Sequence, residues 1–179
     1  MTPWILRVGA ADERLLRALA LRRRPALTRL MRISTHAGDA PVPVGFALLL
    51  LLGGIPALGG VATQVAATLA LAFLVSQMLK RTIARPRPRL PVGLASLVEP
   101  PDRFSFPSGH ATASLAVTLP VALEVGTATG GDVVALLVVV PALVVGLSRC
   151  YLGVHYPGDV VAGWGIAAGS TLIVMGTLA

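Results

Sequence analysis

The sequence predicts an all-α fold: a polytopic membrane bundle of about five transmembrane helices, preceded by an N-terminal interfacial amphipathic helix. Three observations predict it. The chain is 55% hydrophobic and only 13% charged, with a mean hydropathy of +0.80. Apolar runs of about 18 residues, the length needed to cross hydrocarbon, recur along it. Its basic residues are confined to the segments that fall on one side of the runs. At 179 residues the chain makes a single membrane-embedded domain, 1–179.

The N-terminal stretch 1–40 comes first. Residues 1–10 carry too short an apolar core for a cleavable signal peptide, so the first membrane segment is expected to serve as its own insertion signal. Residues 11–33, ADERLLRALALRRRPALTRLMRI, set leucines at 15, 16, 19, 27 and 30 among arginines at 14, 17, 22, 23, 24, 29 and 32. This is a basic amphipathic pattern, too charged to span, with a break at Pro25. It reads as one or two helices lying in the membrane interface.

The expected spans follow at 42–60, 61–79, 109–128, 132–150 and 158–178. Gly and Pro in GGIPALGG, 53–60, mark a tight turn between the first two. Residues 80–108, rich in Pro and Arg, form the one long polar connection, and a loop of that length in a compact domain points to function. Gly165 and Gly169 form a GxxxG pair, a weak sign of close helix packing.

Successive spans alternate sides. The N-terminal segment, the 80–108 loop and the 149–158 connection then share one face, and all 15 Lys and Arg residues lie on it. The net charge is +7. In a chain this apolar, that charge points to anionic lipid surfaces or phosphate-bearing substrates as partners and away from nucleic acid. The single cysteine, Cys150, excludes an intramolecular disulfide and reads as a small packing residue.

Three clusters stand on the basic face: KRTIARPRP at 80–88, PSGH at 107–110 and SRCYLGVHYPGD at 148–159. Lys80, Arg87 and Arg149 are cations at the ends of apolar helices. Arginine forks match phosphate oxygens, and lysine supplies a compact charge. Ser108 is placed to cap the third span, and the free N–H groups from Gly109 onward suit an anion. His155 stands four residues before Asp159, a carboxylate able to fix its tautomer and raise the nucleophilicity of the other ring nitrogen. His110 is then the proton donor to the leaving oxygen. Each group has a bland reading alone: Lys80 and Arg81 as interfacial anchors, Asp159 as an N-cap, His155 as a loop residue. Together on one face they are hard to explain so. His36, in STHAGD, has no second cluster around it in the sequence and reads as structural.

At these residues the sequence resembles the type 2 phosphatidic acid phosphatase family. Lys80, six residues, then Arg87-Pro88 matches the family's first motif; Pro107-Ser108-Gly109-His110 matches the second; Ser148-Arg149, five residues, His155, three residues, Asp159 matches the third. The gaps between them are 18 and 37 residues. The resemblance implies a helical membrane enzyme that hydrolyses a lipid phosphomonoester or pyrophosphate with no metal and no other cofactor. Carried over, His155 is the nucleophile and forms a phosphohistidine, Asp159 orients it, and His110 protonates the leaving group and then activates water. Lys80, Arg87, Ser108, Gly109 and Arg149 hold the phosphate.

Two departures stand out. Family members commonly have six spans where five are expected here, the amphipathic segment taking the place of the first. Bacterial members usually place the site on the periplasmic side of the inner membrane, whereas the charge bias of this chain points the site to the cytoplasm. A cytoplasmic site suits phosphatidylglycerol phosphate, phosphatidic acid or a polyprenyl-phosphate sugar phosphate; an outward site suits undecaprenyl pyrophosphate. A phosphotransferase passing the phosphoryl group to another lipid would use the same residues.

Overall fold

The structure is a computed structural model that describes residues 3–178, and of residues 3–8 the helical backbone. Met1, Thr2 and Ala179, the ends of the expected domain, lie outside the described residues. The chain folds into helices α1 (Pro3–Leu21), α2 (Pro25–Thr35), α3 (Pro41–Leu51), α4 (Ala62–Ile83), α5 (Gly109–Thr129), α6 (Asp132–Tyr151) and α7 (Pro157–Leu178). No strand is present among the described residues.

The amphipathic segment becomes two helices. Pro25 has no N–H to lose at the first helical position, so α2 starts there and α1 stops before it. Leu16 and Ala20 bury one side of α1 against the bundle, while Leu15, Leu19, Leu27 and Leu30 are exposed. Both helices dock on the membrane bundle, α1 on α6 and α7, α2 on α6.

Four helices are long and apolar enough to span: α4 with the turn before it (Pro56–Ile83), α5, α6 and α7. The first expected span, 42–60, does not form one continuous helix. Helix α3 has 11 residues, about 16 Å of rise against roughly 30 Å of hydrocarbon. It ends where Gly53 takes a left-handed conformation (φ 74°), and a 3-10 turn at Pro56–Val61 leads into α4. That turn still reaches the far end of the bundle, where Gly60 lies beside the Glu124 carboxylate. The alternation of sides therefore holds.

Helix α5 is the axis of the bundle and packs against α4, α6 and α7. One core layer joins Ala47, Leu50, Val61, Val65, Val117 and Val121. The next joins Ala72, Leu115, Ala116, Ala142 and Ala167, small residues that let the helices approach closely. Outside, Phe73, Leu74, Leu136, Leu137, Leu172 and Ile173 are exposed, an apolar girdle that suits lipid rather than water. The expected GxxxG contact is absent: Gly165 and Gly169 face open space. Close packing falls on Gly163 instead, where a Cβ would lie 2.8 Å from the Ser108 carbonyl oxygen, and on Gly146, against the Trp164 ring. Cys150 is buried with Ala111 and Val160, as a packing residue should be.

Candidate active site

The ends of α4 and α6 and the starts of α5 and α7 meet on one face, and hydrogen bonds to backbone carbonyls tie the three motifs together. Ser108 N–H, just before α5, donates to the Asp159 carbonyl in the first turn of α7 (3.0 Å). Arg87 Nη1 donates to the Val154 carbonyl (2.8 Å). Helix α4 stops at Ala84, which adopts a left-handed conformation (φ 47°) and turns the chain into the irregular 84–108 segment. Lys80 thus lies on the last turn of α4, and the loop proper begins after it.

His155 is 1% exposed. Arg87 Nη1 lies 2.8 Å from its Nε2. A guanidinium can only donate, so Nε2 is the acceptor and the ring proton sits on Nδ1. Nδ1 lies 3.6 Å from Asp159 Oδ2, beyond hydrogen-bond range, so Asp159 acts on the ring through charge. Burial, then the charges of Arg87 and Arg149, push the His155 pKa down to about 4 against the opposing pull of Asp159. The ring is neutral at pH 7, with its Nε2 lone pair turned toward the cations.

Asp159 is fully buried and is more than a cap. Its Oδ2 accepts the Tyr156 N–H (2.9 Å), an N3 side chain reaching back to the N-cap position. Its Oδ1 accepts from Arg85 Nη1 (2.8 Å), whose Nη2 donates to Asp12 Oδ2 (2.8 Å). Asp12, on α1, also accepts the Gly158 N–H at the start of α7 through Oδ1 (2.8 Å). The supposed interfacial helix therefore supplies a buried carboxylate that holds the arginine which holds Asp159. Arg85 also stacks over the Tyr156 ring, 4.0 Å from its centroid.

His110 lies in the first turn of α5. Its Nε2 donates to Asp39 Oδ1 (2.8 Å), and His36 Nδ1 donates to Asp39 Oδ2 (2.8 Å). Burial acts to raise the Asp39 carboxyl, but the hydrogen bonds from the two histidines outweigh it and hold it below its ordinary value. Gly38 makes this approach possible, since a Cβ there would sit 2.8 Å from His110 Cβ. His36, which has no cluster around it in the sequence, has one in the fold: it stands in a His36–Asp39–His110 chain. The only signal in the sequence was a His and an Asp three apart, just ahead of the first apolar run on the basic face.

The cations are arranged differently. Lys80 Nζ donates to Asp102 Oδ2 (2.6 Å) and Arg87 Nη2 to Asp102 Oδ1 (2.9 Å). One loop carboxylate thus lies across two of the expected phosphate ligands. Arg149 is 2% exposed. Its Nη1 donates to Thr35 Oγ1 (2.7 Å), while its buried Nε and Nη2 have no partner, and neither has the buried Ser108 hydroxyl. Ser108 occupies the N-cap position of α5 without a side-chain cap bond. Buried donors without partners are costly, and these surround the unbonded N–H groups of a helix start with Gly109 exposed and open. An anion would satisfy them together.

Known proteins resemble the chain in sequence and in fold. The chain is 37% identical over 155 residues to decaprenylphosphoryl-5-phosphoribose phosphatase from Mycobacterium tuberculosis, covering 86% of this chain and 80% of that one. It is 32% identical over 169 residues to phosphatidylglycerophosphatase B from Bacillus subtilis, covering 89% and 79%. It superposes on the crystal structure of a transmembrane PAP2-type phosphatidylglycerolphosphate phosphatase from Bacillus subtilis with a TM-score of 0.81 at 28% identity, over 95% of this chain and 85% of that one. The family model of the PAP2 superfamily matches residues 61–178, every motif residue included. With the three motifs joined at one end of a spanning bundle, the chain belongs to the PAP2 superfamily and is a multi-pass membrane phosphatase.

Proposed function

We propose that this membrane phosphatase removes a terminal phosphate from a lipid headgroup through a phosphohistidine at His155. The orientation of that ring supports the reading: Nε2 is the unprotonated nitrogen, accepting from Arg87, and Nδ1–H faces a buried carboxylate. The relatives named above act on decaprenylphosphoryl-5-phosphoribose and on phosphatidylglycerol phosphate, both phosphorylated lipid headgroups, which supports a substrate of that class.

On binding, phosphate oxygens replace the Asp102 carboxylate on Lys80 and Arg87, and take the unpaired donors of Arg149, Ser108 and the start of α5. The Nε2 lone pair of His155 attacks phosphorus and the bond to the lipid oxygen breaks. The leaving oxygen takes a proton from His110: burial and the Arg149 charge push its pKa down to about 4 in the protein alone, and Asp39 together with the anionic substrate pulls it up so that the ring is protonated in the complex. In the second half, neutral His110 takes a proton from water, the hydroxide attacks phosphorus, and the P–N bond breaks. Inorganic phosphate leaves and both histidines return to their starting states. Arg87, Lys80 and Arg149 stabilise the charge on the transferring group in both halves.

Purified protein should release inorganic phosphate from lipid phosphates with chelator present. His155→Ala should lower kcat by about 10⁴-fold or more, as removal of a covalent nucleophile does. An unaffected variant, or strict dependence on added metal, would sink the mechanism.

The site is proposed to face the cytoplasm. Setting Lys80, Arg87 and Arg149 aside, 12 basic residues remain on its side of the spans and none on the other. A cysteine introduced at Arg103, in a Cys150→Ser background, should resist an impermeant thiol reagent in intact cells; ready labelling overturns that placement.

A further inference from the structure

Beside His36 lies a groove of about 580 Å³ that the mechanism leaves unused. One wall is a face of α2, carrying Thr28, Arg29, Arg32 and Ile33 and ending at His36; Arg23, Arg24 and Leu97 complete it. Arginines 23, 24, 29 and 32 all line this one space, and no carboxylate among the described residues is within 4 Å of any of them.

The arginine wall is built, not merely exposed. Arg23 Nη1 donates to the Ala95 carbonyl (2.7 Å) and its Nε to the Tyr151 carbonyl (3.2 Å). That fixes the guanidinium, with its Nη2 packed against Gly153. The Arg24 N–H donates to the Tyr151 hydroxyl (2.8 Å), and Thr28 Oγ1 lies 3.1 Å from the same hydroxyl. Tyr151, at the end of α6, thus pins the start of α2 to the bundle. The groove meets the reaction centre at His36, which bonds Asp39, which bonds His110.

Four guanidinium groups around one space with no internal counter-charge call for an anion. Ile33 and Leu97 supply apolar contact for the carbon skeleton beside it. The exposed Arg14, Arg17 and Arg22 already suffice for general attraction to anionic lipid. They do not explain a walled groove opening one carboxylate from His110.

We propose that this groove binds a second phosphate of the substrate: the phosphodiester that joins the lipid tail to a headgroup whose terminal phosphate is removed at His155. The substrate class is then a lipid with two phosphates separated by a short polyol. The proposal rests on the lipid-phosphatase reading and narrows it.

The test compares phosphatidylglycerol phosphate, which has the diester, with phosphatidic acid of the same acyl chains, which lacks it. In neutral detergent micelles free of other phospholipid, the only phosphates are those of the substrate. The variant R29Q/R32Q alters exposed side chains, so folding is not at stake, and R14Q/R17Q on α1 serves as control. R29Q/R32Q should raise KM for phosphatidylglycerol phosphate at least tenfold more than KM for phosphatidic acid, with kcat for both changed less than KM. R14Q/R17Q should shift the two KM values alike. Equal shifts in R29Q/R32Q, or none, overturn the proposal, since the groove would then be general lipid contact. Wild-type protein that cleaves phosphatidic acid with no preference for the diphosphate lipid also overturns it and leaves the phosphatase reading standing. Protein that cleaves neither lipid, nor any other lipid phosphate, sinks both.

Discussion

The two histidines of the site share a pKa pushed down to about 4 by burial, yet they are enclosed in different ways. Each lies at the start of a helix and each has a carboxylate. His155 is closed in at 1% exposure, and its carboxylate comes from four residues along the chain, at 3.6 Å, itself wholly buried. His110 has a side chain 12% exposed, and its carboxylate comes from 71 residues away, in direct contact at 2.8 Å and 44% exposed. The difference follows the chemistry. The proposed nucleophile needs an unprotonated Nε2 and must not take protons from solvent, so burial and a carboxylate held off the ring suit it. An acid–base group gives and takes a proton in each cycle, so a path to water suits it. Asp39 and the exposed His36 supply one.

This contrast can be broken at its ends. Apart from the loss of His155, the largest expected effect is His110→Ala, which should lower kcat by about 10²–10⁴-fold, the usual worth of a positioned acid–base group. Smaller is Asp39→Asn. Losing a charge-assisted bond to the imidazolium should reduce kcat by about 10–100-fold and leave KM nearly unchanged. A merely structural Asp39 would instead lower the melting temperature without that split.

Burial of His155 predicts a pH signature. The His155 pKa is lowered from 6.5 to about 4, so the unfolded chain gains this proton before the folded one does. Stability from the group is complete above pH 6.5 and lost as pH falls from there through about 4. His155→Gln, which cannot titrate, should show a shallower fall in melting temperature across that window in detergent. The smallest effect is expected of His36→Gln. An exposed pair is worth about 0.2–1 kcal/mol, and the rate of single turnovers should change by about fivefold at most. A loss as large as that of His110→Ala would show that His36, not His110, is the acid.

The same asymmetry explains what could be read in the sequence. The spans α4 to α7 were legible because apolar length is a local property. So was the gathering at one end of the bundle of Lys80, Arg87, Ser108, Gly109, His110, Arg149, His155 and Asp159, which stand in fixed short spacings and meet through the alternation of sides. Asp39, Arg85 and Asp12 were not, because each acts across the fold: Asp39 through the close approach that Gly38 permits, Asp12 by burying a carboxylate in a helix whose pattern looked purely interfacial. Helix α3 was overextended for a related reason. Its apolar composition continues past Leu51, and only the left-handed Gly53 and the turn at Pro56–Val61 end it. Asp102 was missed because a loop carboxylate leaves no spacing to read until the loop folds back over Lys80 and Arg87.

The central claim is that His155 carries the phosphoryl group. Rapid quenching of wild-type protein with phosphatidylglycerol phosphate labelled in its terminal phosphate tests it directly, followed by mapping of the labelled peptide. The account predicts an acid-labile, base-stable label on the peptide containing His155, absent from His155→Ala. Label on His110, or turnover with no covalent label at any time, would contradict it.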